Sequence, residues 1–422
     1  MHYRTTHLVL LLALSLLSQA PAAPTADRAT ANWPRFRGPN GAGVSADKDV
    51  PQKWDGKENV LWKTTLPGEG NSSPIVWGDR LFIQSATDKQ RLLLCVDVTS
   101  GEIIWQQAVP GKTSKKHPKN TLASSTPTTD GERVYAAFWD GSNLLLHAYD
   151  FKGNPLWSHD LGEYVSQHGV GQSPIVCGDK VILVNDNDQS AAVLAFEAKS
   201  GKPAWQADRK SYRACYSTPV LHEKEKGVTE LIVWSTAGAT SYDPKDGAEN
   251  WHWMWTPAKD PLRTVSSPVL GEGLVLGGGG EGPNGVRITV AVKLGGKGDV
   301  SKTNLAWEQK SDFPYVSCLL ISGDYVYFVN DAGFAHCRSL KDGEKVWSER
   351  LSGVFSSSPV LIDGKIYATN EDGVTYVFAA APKYKLHEKN PLGEPVMATP
   401  AVADGKIYMR SKEHLFCIGK KK

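Results

Sequence analysis

The sequence predicts an all-β fold, an eight-bladed β-propeller. Three observations predict it: a hydroxyl-Pro pair that recurs along the chain, short β-rich runs joined by Gly/Asp turns, and a Gly four residues before a Trp at the end of most copies. Composition agrees, since Gly numbers 40 and Trp 14 in 422 residues, an excess of turn-formers and large flat side chains that suits many short strands. A net charge of +2, from 47 Lys plus Arg and 45 Asp plus Glu, excludes the broad basic field of a nucleic-acid binder.

The pairs are Ser73-Pro74, Thr126-Pro127, Ser173-Pro174, Thr218-Pro219, Ser267-Pro268, Ser358-Pro359 and Thr399-Pro400, with Ser317-Cys318 as the eighth copy. Their spacing of 41 to 53 residues is the period of a propeller blade. Each copy continues with an apolar run, a tight turn and a second run, as in Ile75-Val76-Trp77, Gly78-Asp79, Leu81-Phe82-Ile83. Such runs read as hairpins. A third run, such as Leu92 to Val98, and a fourth ending on Trp complete a unit of four antiparallel strands.

A unit this small cannot bury both its faces alone, and a closed ring is how such units avoid open edges. The last copy, Thr399 to Ile418, has only three strands, while Glu58 to Thr64 carries the outer-strand pattern with Trp62 in place. The N-terminal strand is therefore expected to complete the C-terminal blade, giving a leader over 23–57 and a single propeller over 58–422. Trp62, Trp105, Trp157, Trp205, Trp251, Trp307 and Trp347 fall on outer strands and are read as packing wedges between blades.

Residues 1–22 have the layout of a secretory signal peptide: Arg4, an apolar run from Leu8 to Leu17, and a small-x-small site at Ala20 and Ala22. The expectation is export to the periplasm or beyond, without a membrane span, because no later run approaches the ~20 apolar residues that spanning requires. No Cys follows the cleavage region to carry a lipid. The six cysteines lie mostly inside apolar runs, without CxxC or an adjacent pair, and are expected to be buried thiols.

The segments Cys95 to Trp105 and Cys337 to Trp347 resemble the tryptophan-docking motif of the quinoprotein-type, or pyrroloquinoline-quinone-like, β-propeller repeat family, and the resemblance extends from about Asn59 to Ile418. Trp33 to Gly41 is similar to the opening of many exported bacterial members. The resemblance implies two kinds of protein: dehydrogenases that oxidise alcohols or sugars with the quinone and Ca²⁺, and a cofactor-free subunit of the outer-membrane β-barrel assembly machine that binds protein. The absence of adjacent cysteines departs from many of the dehydrogenases.

Other chemistry has little footing. Gly280 to Gly285 matches G-x-G-x-x-G by spelling, but lies between two strand-like runs and contains Pro283, so it reads as a hairpin loop. No G-x-S-x-G occurs, and none of the 11 His forms a zinc pattern. In Asn185-Asp186-Asn187-Asp188, Asp186 and Asp188 are weak candidates for a cation, and the Asx-rich turn is the preferred reading.

In a propeller, the loops that lead into inner strands share a face with those joining second and third strands, and this face surrounds the channel mouth. Asn71, Ser124, Gly171, Tyr216, Val265, Tyr315, Ser356 and Met397, three residues before each Pro position, break the internal symmetry there. From this face the expected ligand-binding residues are Asn71, Ser124, Gln172, Arg213, Tyr216, Arg263, Tyr315 and Met397. The ring of Ser/Thr beside the Pro positions repeats fully and is expected to bond between blades. The functional expectation is an exported, non-catalytic, monomeric module binding a protein or cell-envelope ligand, without cofactor; the alternative is a dehydrogenase using pyrroloquinoline quinone and calcium.

Overall fold

A computed structural model describes residues 32–421 apart from 225, 226, 228, 256–262, 281–285 and 311. The signal-peptide pattern at 1–22 and most of the Gly280–Gly285 stretch therefore lie outside the described residues. Eight antiparallel sheets form the ring, each with four strands running from the channel outward. Blade 1 is Ile75–Trp77, Arg80–Ala86, Gln90–Asp97 and Ile103–Pro110; the other blades follow in chain order. The apolar clusters sit between blades: Tyr135, Ala137 and Leu146 of the second pack on Val181 and Leu183 of the third.

Ring closure is as expected. Val60–Thr65 is the outer strand of the eighth sheet, antiparallel to His414–Ile418, with Val60 opposite Ile418 and Trp62 opposite Cys417. This pairing removes the last open edge.

At the channel, the backbone N–H of seven of the eight blades donates to the side chain at the same position of the next blade. Ser73 N donates to Thr126 Oγ1 at 3.1 Å, Thr126 N to Ser173 Oγ at 2.9 Å and Thr218 N to Ser267 Oγ at 2.9 Å. Ser358 N donates to Thr399 Oγ1 at 3.0 Å, and Thr399 N closes the circle on Ser73 Oγ at 3.2 Å. One register differs from the sequence reading. Cys318, not Ser317, holds the hydroxyl's place: its Sγ accepts from Ser267 N and its N–H donates to Ser358 Oγ. Leu319 thus stands where the other copies have Pro, and Tyr315 sits one residue further from its strand than its counterparts. A thiol is close enough in size to a hydroxyl to keep the ring, which is why a Ser/Thr pattern misplaced it.

Six of the outer tryptophans dock alike, each donating Nε1–H to a carbonyl in the turn of the following blade, as Trp105 does to Phe151 at 2.9 Å and Trp157 to Ala198 at 3.0 Å. In five of the six the ring covers the turn glycine, the turn that receives Trp347 having none. At Gly201 (φ +70°) a Cβ would stand 2.5 Å from the Trp157 ring, so the turn needs both the left-handed backbone and the missing side chain. Trp251 is the exception. The turn that should receive it is longer, and Gly298–Asp299 instead adds a parallel fifth strand to its sheet, opposite Trp251 and His252.

The leader is not a tail. Trp33 bridges Val76 through two reciprocal 2.8 Å bonds, Thr129 N donates to Pro34 O, Asn40 exchanges two bonds with Leu221, and Val44–Ser45 pairs parallel with Leu361–Ile362. It therefore crosses the ring from blade 1 through blades 2, 4 and 6 to blade 7, on the face of the first hairpin turns. Two arginines anchor it. Arg35 donates to Pro219 O, and Arg37, fully buried, donates to Gly41 O, Ala42 O and, at 2.7 Å, Leu319 O. Burial without a carboxylate partner pulls the Arg35 guanidinium down to about 9. Trp54 completes the strap, stacked on Tyr367 with centroids 6.1 Å apart.

Deleting residues through Leu66 removes both strap and closing strand; the expected product aggregates or unfolds, and a truncated chain melting at the full-length temperature would refute closure. Trp105→Ala is expected to cost about 3–5 kcal/mol in chemical denaturation, as for other large-to-small core changes.

Candidate functional site

The face opposite the strap carries the loops that lead into the inner strands. The segment between blades 1 and 2, residues 111–127, is a roof. Lys112 N donates to Asp140 O, His117 N to His168 O, and Asn120 Nδ2 to His168 O and Val170 O, fastening it to blades 2 and 3. On its other side Lys119 Nζ lies 2.5 Å from Glu371 Oε1 of blade 7, which also accepts from Ser356 Oγ at 2.6 Å. The roof thus spans from blade 3 to blade 7 over the mouth.

The structure divides the expected ligand residues into two groups. Asn71, Ser124 and Gln172 hold loops. Asn71 Nδ2 donates to Lys119 O, Ser124 Oγ bonds Asn120 Oδ1 and Thr121 inside the roof, and buried Gln172 donates to Tyr164 OH at 2.7 Å. Met397, half-buried at the start of blade 8, lies across the ring from the rest.

Arg213, Tyr216, Arg263 and Tyr315 come together on the side of blades 4 to 6. Tyr216 OH bonds Ser166 Oγ at 2.8 Å. Arg263 is locked to Gly280 by reciprocal backbone bonds of 2.9 Å and donates Nη2–H to Gln167 Oε1. Tyr315 N donates to Asp331 Oδ2 at 2.7 Å, and the guanidinium of Arg287 lies over the Tyr315 ring at 4.5 Å. His117 and His168 pack edge to face beside them, 5.0 Å apart. Burial pushes the Tyr216 hydroxyl up to about 12, keeping it a neutral donor. Burial first, then Arg263, His117 and Arg213, pull His168 down to about 4.

Sequence reasoning missed Arg287, His168 and Gln167. Arg287 opens a strand that the sequence places correctly, but a strand's first residue carries no signal of the loop face it joins. His168 and Gln167 lie in a loop without pattern, and only the ring brings them to Arg263.

Asp186 is turned away from cation chemistry. It is buried, with Oδ2 3.3 Å from Arg209 Nη1, and burial raises its carboxyl to about 6 against the pull of Arg209. Asp188 is exposed and its Oδ1 accepts from Ala214 N at 2.8 Å. Among the described residues no group of three or more His, Cys, Asp or Glu is placed to hold a metal ion. All six cysteines are free thiols, five of them buried.

Ring, docking tryptophans and an asymmetric loop face define a repeat propeller. Residues 52–142 and 88–349 match the family described as outer membrane protein assembly factor BamB, and the chain belongs to this family of pyrroloquinoline-quinone-like propeller repeats. Among solved structures it is similar to BamB from Moraxella catarrhalis, at 15% identity and a TM-score of 0.60, covering 86% of this chain and 97% of that one. It is also similar to Sqt1 of Saccharomyces cerevisiae, at 11% identity and a TM-score of 0.59, covering 89% and 100%. At these identities the likeness is one of fold. A polyvinylalcohol dehydrogenase from a Pseudomonas species is 23% identical over 213 residues, which span 47% of this chain and 31% of that enzyme.

The Lys119–Glu371 pair is part-exposed, so Glu371→Ala is expected to cost under ~1 kcal/mol. It should nonetheless speed amide exchange across residues 112–121; unchanged exchange there would show that the roof does not depend on this contact.

Proposed function

We propose that this chain is a non-catalytic scaffold of the cell envelope that binds a protein partner through the rim beside the roof. The observation that carries the reading is the gathering of Arg213, Arg263, Arg287, Tyr216 and Tyr315 on one side of the mouth. Arg and Tyr are enriched at protein interfaces, where a flat amphipathic ring or a fixed guanidinium gives contact at low entropic cost. Membership in a family described by an outer-membrane assembly factor supports it, and the pattern at 1–22 supports export.

The residues present fit a calcium–quinone group poorly. Calcium takes six to eight oxygens, roughly, from a flexible donor set, whereas Asp186 is engaged with Arg209 and Asp188 with a backbone amide. The mouth above is crossed by the chain's own roof.

A photo-crosslinking residue placed at Tyr216 is expected to capture an envelope protein, and one at Asp404 on the opposite face is not. Stoichiometric binding of pyrroloquinoline quinone with Ca²⁺, together with dye-linked oxidation of an alcohol or sugar, would overturn the scaffold reading in favour of a dehydrogenase.

A further inference from the structure

The rim residues have a chemistry narrower than protein binding in general. Arg263 is 7% exposed and cannot move far, since its backbone is paired with Gly280 on both sides. Its Nη2–H is used on Gln167, but Nη1 is buried and has no hydrogen-bond partner among the described residues. A buried cationic N–H left unpaired is costly. A planar fork held in this way is the geometry that recognises a carboxylate bidentately.

The surroundings reinforce this. Arg287 is stacked on Tyr315 with its Nη2 only 4.0 Å from Asp331, a carboxylate that Tyr315 N already holds. Arg213 leads into the same blade as Tyr216. Burial raises the Tyr315 hydroxyl, and Arg263, Arg287 and Arg213 each pull it back, so all three guanidinium groups project positive potential onto one point. Among the described residues, the carboxylates at this point are Asp331 and Asp188, both accepting from backbone amides. Across the mouth, by contrast, Glu371 is engaged with Lys119 and Ser356. The rim is thus polarised, basic over blades 4 to 6, on a protein whose overall charge of +2 has no general affinity for polyanions.

We propose that Arg263, with Arg213 and Arg287, forms a carboxylate-binding subsite, walled by Tyr216 and Tyr315, that takes a glutamate or aspartate side chain, or the free C-terminus, of the partner polypeptide. The assignment rests on the scaffold reading and names the chemistry of its partner. It also accounts for Arg rather than Lys at the site, since a planar fork matches a carboxylate bidentately and a point charge does not.

The test uses fluorescein-labelled Gly/Ser peptides in anisotropy titrations with the purified chain. One peptide carries a run of Glu, a second the same run as Gln, and a third is neutral with a free C-terminal acid or its amide. The expected result is binding of the Glu peptide about tenfold or more tighter than the Gln peptide, weakening with salt. Loss of that preference is expected in Arg263→Gln. Arg213→Gln, at a half-buried loop position, gives the same readout in a chain whose melting temperature is unchanged should Arg263→Gln fold poorly. Preference for the acid over the amide of the third peptide assigns the subsite to a C-terminus; preference confined to Glu over Gln assigns it to side chains. Equal binding of all peptides, no binding of any, or a preference that survives in both variants overturns the subsite. If crosslinks from Tyr216 are still recovered in that case, the scaffold reading stands and only the carboxylate assignment falls.

Discussion

The pairing of Val60–Thr65 with His414–Ile418 joins the two ends of the described fold, and every blade interface depends on it. A four-stranded sheet with apolar faces on both sides is stable only between two neighbours. With the last blade complete, the first acquires its second neighbour: Thr399 reaches Ser73, and buried Arg410 reaches Gln84 O and Ser85 Oγ. The inner ring of hydroxyl bonds and the outer ring of docked tryptophans are then two concentric belts on a circle already shut. The strap from Trp33 to Trp54 adds bonds across the diameter, coupling blades that do not touch.

Rigidity of this kind lets a site be built from loops. Arg263, Tyr216, Tyr315 and His168 belong to different connections, and none could hold its geometry alone. Several departures from eightfold regularity fall in one arc. Trp251 has no docking turn, Gly298–Asp299 adds a strand, Cys318 replaces a hydroxyl and Leu319 a proline, all in blades 4 to 6, beneath the basic rim. Where internal symmetry is relaxed, side chains are released from repeating the architectural pattern. The roof makes a similar use of an irregular loop on the opposite arc.

Periodicity made much of this legible. Blade number, the strand that closes the ring and the hydroxyl belt all follow from residues that recur, because each blade meets the same packing demand as the next. The one slip, Ser317 for Cys318, arose where the pattern substitutes sulfur for oxygen while keeping the bond. The candidate residues were legible only as a face. Asn71, Ser124 and Gln172 look like ligand residues by position and type, yet the structure commits them to the roof and its neighbours.

What the chain's residues determined unaided was therefore the architecture, since local turn chemistry, alternation and a fixed period are properties of neighbouring residues and repeat with the blade. Tertiary structure alone decided which loop residues meet. Arg213, Arg263 and Arg287 are spread over 75 positions of chain, and no spacing rule links them. Their gathering at one rim comes from the closed ring, which sets loops of separate blades side by side. The same holds for the leader, whose short polar pattern foretold nothing of Arg35 and Arg37 reaching carbonyls in blades 4 and 6, because those carbonyls lie together only after closure.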